Sequence, residues 1–486
     1  MTPFAVVIAG AAGVGLLLCI PLPQPKLAPP PDAGRPFAWN RDSLWQSLES
    51  AFVAARSAGC GDSTSLALQI TTLGARLAAL SGTTLPPSAP LWDSLETQFF
   101  ALAPRVAACP SSLDGFVATY SALRKRVKQQ SEQWDVSMPE ARDRLYRGLY
   151  GGRAALEEVL VQQPGRVDAL LHERDEPSIS PAAIVRGVRV HCGDILVSRG
   201  GYPTSALIAR GNDYPGNFSH VGLVHVDSST QAVSVIEAHI ERGVAIGSAD
   251  EYLADKKLRL MVLRPRAGLA AMKRDPLLPH RAASAMRERS LTERIRYDFA
   301  MDYRDPSRLF CSEVASSTYR DHGITLWAGI STISREGLRR WLGGFGVRHF
   351  ETQEPSDLEY DPQLVVVAEW HDPALLFREH IANAVTDAML EGADRGDRLR
   401  APWHQLPMAR LAKGYSWLVQ RLGMTGVIPE GMTPAAALRN RRYSEWHAAL
   451  TDAVTATAEA WAVDHGYRPT YWTLVQLARD ASQASL

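Results

Sequence analysis

Neither sign of charge is in excess in this 486-residue chain: 52 Lys and Arg stand against 52 Asp and Glu. Without a basic excess there is no electrostatic footprint for nucleic acid, whose phosphates are held by clustered Lys and Arg. Cysteine is scarce, five in all, and no Cys-x-x-Cys occurs, which removes support for a zinc or thioredoxin-like motif. The histidines and acids around residues 191–239 show no tight ligand spacing for zinc, and neither a metal nor a cofactor is expected. No internal repeat is evident. Hydrophobic content of 46% with 21% charged residues belongs to a globular protein and not to a disordered one. The length exceeds one compact core and implies two or three domains.

Charge is missing altogether from residues 4–20, FAVVIAGAAGVGLLLCI. This run falls between a signal-peptide core and a comfortable membrane span of about 20 residues. A Pro-rich stretch, 21–36, follows as an extended spacer. No Lys or Arg precedes the run while Lys26 and Arg35 follow it, against the usual orientation with the positive side in the cytoplasm. No clean small-x-small cleavage site follows, and Leu18 before Cys19 is large for a lipoprotein signal. The expectation is a chain held in the cell envelope, its first segment a retained or lipid-bearing anchor, with cleavage to a free periplasmic form as the alternative.

Residues 37–165 read as a helical bundle: Leu44, Leu48, Phe52 and Ala55 recur at helical spacing, as do Leu66, Ile70, Leu73, Leu77 and Leu80. Nothing titratable there suggests chemistry, and the run Arg124-Lys125-Arg126-Val127-Lys128 is expected to be a solvated helix face. Cys60 and Cys109 sit at two helix ends, as disulfide partners or as two small buried thiols. From 166 to 372 the character changes to short apolar runs at 194–198, 220–226, 232–238, 258–263 and 364–367, which are expected strands. A Gly-rich stretch, 200–217, holds a short helix at 205–210 and is a candidate substrate flap. Helices are expected at 270–293 and 311–320. From 373 to 486 the chain is helical again, over 374–391, 407–422, 434–439, 443–464 and 469–483, with Trp403, Trp417, Trp446, Trp461 and Trp472 expected in the core and an envelope-binding surface as the lesser reading.

The chemistry lies in the middle. Phe310-Cys311-Ser312-Glu313, preceded by Phe218-Ser219-His220-Val221-Gly222 and by Val235-Ile236-Glu237-Ala238, supplies a thiol, an imidazole and a carboxylate. Nucleophilic cysteine catalysis needs these three: the thiolate attacks, the imidazole moves the proton, and the carboxylate orients the imidazole. A carboxylate at Glu237 in an apolar strand costs several kcal/mol to bury unless something satisfies it, and His220 would. His239 projects to the same face two residues on and is the backup third member. His191 and Asp194 are further candidates, Asp194 more as a turn cap. Cys311 at a helix start would have its pKa lowered by the helix end and a nearby His⁺. Glu313 in the first turn is read as a contact for unpaired helix N–H groups. Cys192 is read as structural, and Tyr297 either reaches the site or packs.

Gly193-Asp194-Ile195-Leu196, Ser219-His220-Val221-Gly222, Val235-Ile236-Glu237-Ala238 and Tyr297-Asp298-Phe299 ahead of Phe310-Cys311-Ser312-Glu313 together resemble the YiiX-type cysteine hydrolases of the NlpC superfamily. The resemblance covers roughly residues 180–370. It implies an α+β, circularly permuted papain-like domain between the helical regions, with Cys311 as nucleophile, His220 as base and Glu237 as the third member. The function expected is an envelope-associated cysteine amidase or peptidase acting on an amide, a peptidoglycan-type peptide being first choice. A thioesterase or lipid acyl hydrolase is the second reading. A non-catalytic envelope scaffold that binds a ligand is the third.

Overall fold

The computed structural model describes residues 19–20, 36–37, 43–163, 170–372 and 374–484. The expectations for the apolar run 4–20 and its Pro-rich spacer fall almost wholly outside these residues. No helix among the described residues is long and apolar enough to cross a membrane.

Six helices form the first unit: α1 (Ser43–Ala58), α2 (Ser63–Ala79), α3 (Pro90–Ala108), α4 (Leu113–Ser131), α5 (Pro139–Tyr146) and α6 (Gly152–Val161). The i, i+4, i+7 pattern of Leu66, Ile70, Leu73 and Leu77 becomes the buried stripe of α2, whose start is fixed by Asp62 accepting the Ser65 N–H at 2.9 Å. Phe99 and Phe116 stack at 4.7 Å in the core between helices. Of the two readings for Cys60 and Cys109, the structure has the disulfide.

A seven-stranded sheet carries the middle of the chain. Its strands are β1 (Leu170–His172), β4 (Ile195–Gly200), β5 (His220–Val226), β6 (Val233–His239), β7 (Gly243–Ser248), β8 (Lys257–Pro265) and β11 (Leu364–His371), ordered β1-β11-β8-β4-β5-β6-β7. Every neighbouring pair is antiparallel. Four short strands, β2 (Ala182–Val185), β3 (Val188–His191), β9 (Ser331–Thr332) and β10 (Glu351–Thr352), make two small ribbons. The five apolar runs expected as strands are β4, β5, β6, β8 and β11. Helix α11 (Cys311–Arg320) packs across β5 and β6, and α10 (Leu278–Thr292) lies beside it. The long helix expected at 270–293 is two, because Pro276 and Pro279 separate α9 (Ala270–Arg274) from α10. The chain is α+β.

Buried charges join the bundle to the sheet. Arg259 of β8 is fully buried and meets Glu157 of α6 at 2.7 Å and Glu379 of α14 (Leu376–Arg395) at 3.0 Å. Glu369 of β11 takes Arg153 at 2.9 Å and also Arg124. Removing one partner from such a set strands the other charge, which costs about 3–5 kcal/mol. The titratable groups that the bundle contributes to this cluster serve packing. One expectation fails here. The 124–128 run is not a solvated face, since Arg124 is buried against Glu173 and Glu369. One turn later, Lys128 donates to the Glu359 and Asp361 carbonyls at 2.7 and 2.5 Å.

The last helices are α14, α15 (Leu406–Arg421), α16 (Pro434–His465) and α17 (Tyr471–Ala484). The helices expected at 434–439 and 443–464 are one, α16, because Asn440 to Arg442 continue its turns. The tryptophans divide. Trp446, Trp461 and Trp472 are partly buried, but Trp403 and Trp417 are 64% and 52% exposed and belong to no core.

Candidate active site

Strand register sets the first pair. Glu237 lies opposite Gly222 in the β5–β6 ladder, and His220, two residues before Gly222, projects to the same face as a diagonal neighbour. Gly222 lets Val235 pack closely on that face, since a methyl group there would come within 2.6 Å of Val235 Cγ1. His220 Nε2 and Glu237 Oε2 are 2.6 Å apart, and His239 Nε2 lies 3.2 Å from Glu237 Oε1. One carboxylate thus serves both imidazoles. Burial alone would raise the Glu237 carboxyl; hydrogen bonds from His220 and His239 outweigh it and hold the group well below the usual carboxylate range.

Cys311 opens α11, with Phe310 as the preceding cap residue. The Phe310 N–H donates to Glu313 Oε2 at 2.9 Å, the helix-start contact expected for Glu313. Burial pushes the Glu313 carboxyl up to about 9, so it is neutral at pH 7 and adds no negative charge beside the thiol. The Cys311 thiol itself is raised, to about 12, by burial first and by the Glu354 carboxylate second, against hydrogen bonding from the Val221 and Ser312 backbone. The direction is therefore opposite to the lowering expected at a helix start: Cys311 is only 5% exposed, and burial is the largest influence on its thiol. Glu354 is itself buried, with Oε2 lacking a hydrogen-bond partner among the described residues, and burial raises its carboxyl well above the usual carboxylate range.

His220, Glu237, His239, Tyr297 and Cys311 all face one cleft of about 1320 Å³. Its further walls come from two places. The 200–217 stretch contributes Tyr202, Ser205 and Ile208, and the C-terminal helices contribute Met408, Ala412, Asn440 and Arg441. The expected flap is pinned at one end. Arg210, at the end of α7 (Pro203–Arg210), forks onto Asp387 of α14 at 2.9 and 2.8 Å and reaches Tyr150 at 2.6 Å. The doubly held Arg210 anchors the end of α7, while Tyr202 at the start of the stretch is exposed.

The other candidates lie elsewhere. Asp194 accepts the His191 N–H at 2.8 Å and receives Arg264 in a fork at 2.8 Å, while His191 Nδ1 sits 3.0 Å from the Ser180 carbonyl. Both are structural. Cys192 is buried at 3.3 Å from His280 Nδ1, with its thiol raised to about 11 by burial. Glu354 had no signal in the sequence. It stands in the polar loop Thr352-Gln353-Glu354-Pro355, which reads as solvated until the fold buries it.

Comparison with known proteins bears on this site. A family model described as permuted papain-like amidase enzymes, YaeF/YiiX, C92 family, matches residues 189–368. No curated protein and no solved structure matches the chain. The matched segment runs from β3 to β11 and contains every residue named on the sheet side of the cleft.

Proposed function

We propose that the amidase-type domain spanning residues 189–368, a cysteine hydrolase domain by its family, works with Cys311 as nucleophile, His220 as base and acid, and Glu237 as the group that orients His220. The observation that carries this reading is the 2.6 Å contact of His220 Nε2 with Glu237 Oε2 in the cleft that also receives the Cys311 thiol. With Nε2 committed to the carboxylate, Nδ1 is the nitrogen left for the thiol proton. The thiol is neutral at rest, so the nucleophile is made during attack. His220 takes the proton from sulfur as sulfur bonds to the acyl carbon, then gives it to the departing amine, and water repeats the exchange on the acyl-enzyme. The Cys311 backbone N–H, in the first turn of α11 where no intrahelical acceptor exists, is a natural donor to the oxyanion.

A circularly permuted papain-like topology accords with the order His220, Glu237, Cys311 along the chain. The substrate class proposed is an amide of the cell envelope, a peptidoglycan-type peptide first, reached by a chain tethered through residues 4–20. A thioester or lipid acyl bond is the second reading, favoured by the apolar wall of Met408, Ala409 and Ala412 on one side of the cleft. Incubating the protein with peptidoglycan stem peptides and with N-acyl and thioester amphiphiles, followed by mass spectrometry, separates the two. Products from the first set alone support the amidase reading, and products from the thioester alone reject it.

A further inference from the structure

Helix α15 is buried on one face only. Leu406, Ala409, Ser416 and Val419 are buried on the side turned to the body of the protein, where α15 packs on α16. On the opposite side Met408, Leu411, Tyr415, Leu418 and Leu422 recur at spacings of three and four and are 54–69% exposed. That is a continuous apolar stripe on a helix, left in water. Trp403 before the helix and Trp417 on it are exposed as well, and both are residues that favour a boundary between apolar and wet surroundings.

Charge tells what covers it. From 398 to 429 the chain carries Arg398, Arg400, Arg410, Lys413 and Arg421 and no Asp or Glu. In a chain of zero formal charge this is a stretch of five positive charges with no negative one, of which Arg410, Lys413 and Arg421 stand on α15, Lys413 turned inward to donate to the Pro429 and Glu430 carbonyls at 2.6 and 2.7 Å. Arg421 lies over the Trp417 ring at 4.0 Å, which holds a cation at the stripe's margin. An apolar face with aromatic residues and a basic border matches the interface of a bilayer with anionic headgroups. A second helix face would satisfy the leucines but leave the basic border unmatched. The position agrees. Arg410 donates to the Ile20 carbonyl at 2.7 Å, so the end of the uncharged run 4–20 reaches this helix. Met408 and Ala412 of the same helix line the catalytic cleft.

We propose that the exposed face of Leu406–Arg421 is a docking surface for an anionic phospholipid bilayer, which brings the mouth of the Cys311 cleft to the membrane surface so that substrate is drawn from the lipid interface. The last clause rests on the functional reading above; the docking does not.

The test uses the full chain with vesicles of phosphatidylcholine alone and of phosphatidylcholine with phosphatidylglycerol, comparing the parent with Leu411→Asp/Leu418→Asp. Both positions are exposed and neither lines the cleft, so the variant is expected to fold, which its circular dichroism checks. A second variant, Arg400→Gln/Arg421→Gln, changes two exposed cations and reports on charge. The parent should partition at least tenfold more strongly onto the anionic vesicles, the leucine variant should lose tenfold or more on both, and the basic variant should lose mainly the anionic preference. Equal partition of parent and leucine variant overturns the proposal, because the run 4–20 then accounts for all attachment or covers the stripe itself. A parent dimer that the leucine variant splits, with vesicle binding unchanged, overturns it in favour of a second copy. Thiol labelling at Cys311 is read separately: its loss would sink the catalytic assignment and leave the docking standing.

Discussion

Glu237 Oε2 sits 2.6 Å from His220 Nε2 while Glu237 Oε1 sits 3.2 Å from His239 Nε2, so a single buried carboxylate is shared by two histidines of neighbouring strands. The two contacts are unequal. On the proposed assignment His220 acts on the substrate and His239 only braces the carboxylate.

His220→Ala is expected to lower kcat/KM by about 10²–10⁴, the usual share of a general base. Glu237→Gln should cost less, about tenfold to a hundredfold, because an amide still holds the ring although it does not stabilise the imidazolium. His239→Ala should cost under about tenfold. Steady-state rates on one amide substrate decide the order. A His239 variant that loses as much as the His220 variant would transfer the base role to His239.

The disulfide between Cys60 and Cys109 closes a sequence separation of 49 residues in the bundle, remote from the cleft. Cys60→Ser/Cys109→Ser is expected to lower stability by up to roughly 4 kcal/mol in the chain-entropy account. Activity at low temperature should hold. Thermal melting with and without reductant checks this, and an unchanged melting temperature would show that the bridge restricts little in the unfolded chain.

Buried His447 is a second lever on stability. Its ring meets Thr386 Oγ1 at 3.0 Å and the Ala382 carbonyl at 3.2 Å, and burial first lowers its pKa to about 4, with Arg199 adding to the lowering. The unfolded chain takes up a proton near the ordinary histidine pKa of about 6.5, and the folded chain does so only near 4. Between those values the unfolded state binds more protons, so stability falls as pH falls, by at most about 3 kcal/mol. His447→Gln should flatten the drop in melting temperature between pH 7 and pH 5. An equal drop in both proteins would assign it to other groups.

The strands that carry the site were legible because they are apolar runs bounded by Gly, Asn and Asp. Cys311 was legible because the start of α11 falls where the pattern turns helical. Edge strands were not. β7 is half-buried, with a small-residue pattern, and β1 has three residues, so neither shows a period. The electrostatics of Cys311 were misread for a different reason: a helix start is visible in sequence, but the burial that outweighs it is tertiary. The same holds for Arg124, whose neighbours in sequence suggest a solvated face and whose neighbours in space are Glu173 and Glu369. The aromatic residues of the last third look alike in sequence, and only the fold separates Trp446 in its packing from Trp403 and Trp417 in solvent.

The central claim is that Cys311 becomes nucleophilic through His220. Because burial holds the Cys311 and Cys192 thiols up to about 12 and about 11, neither is a thiolate at neutral pH, and alkylation reports on proton transfer within the cleft. The measurement is site-resolved mass spectrometry after limited iodoacetamide at pH 7, on the parent and on His220→Ala. Of the two buried thiols Cys311 should be modified first in the parent, with the half-buried Cys19 counted separately, and the Cys311 rate should fall by about a hundredfold or more in the variant. Modification of Cys192 ahead of Cys311, or a Cys311 rate that His220→Ala leaves unchanged, would contradict the account.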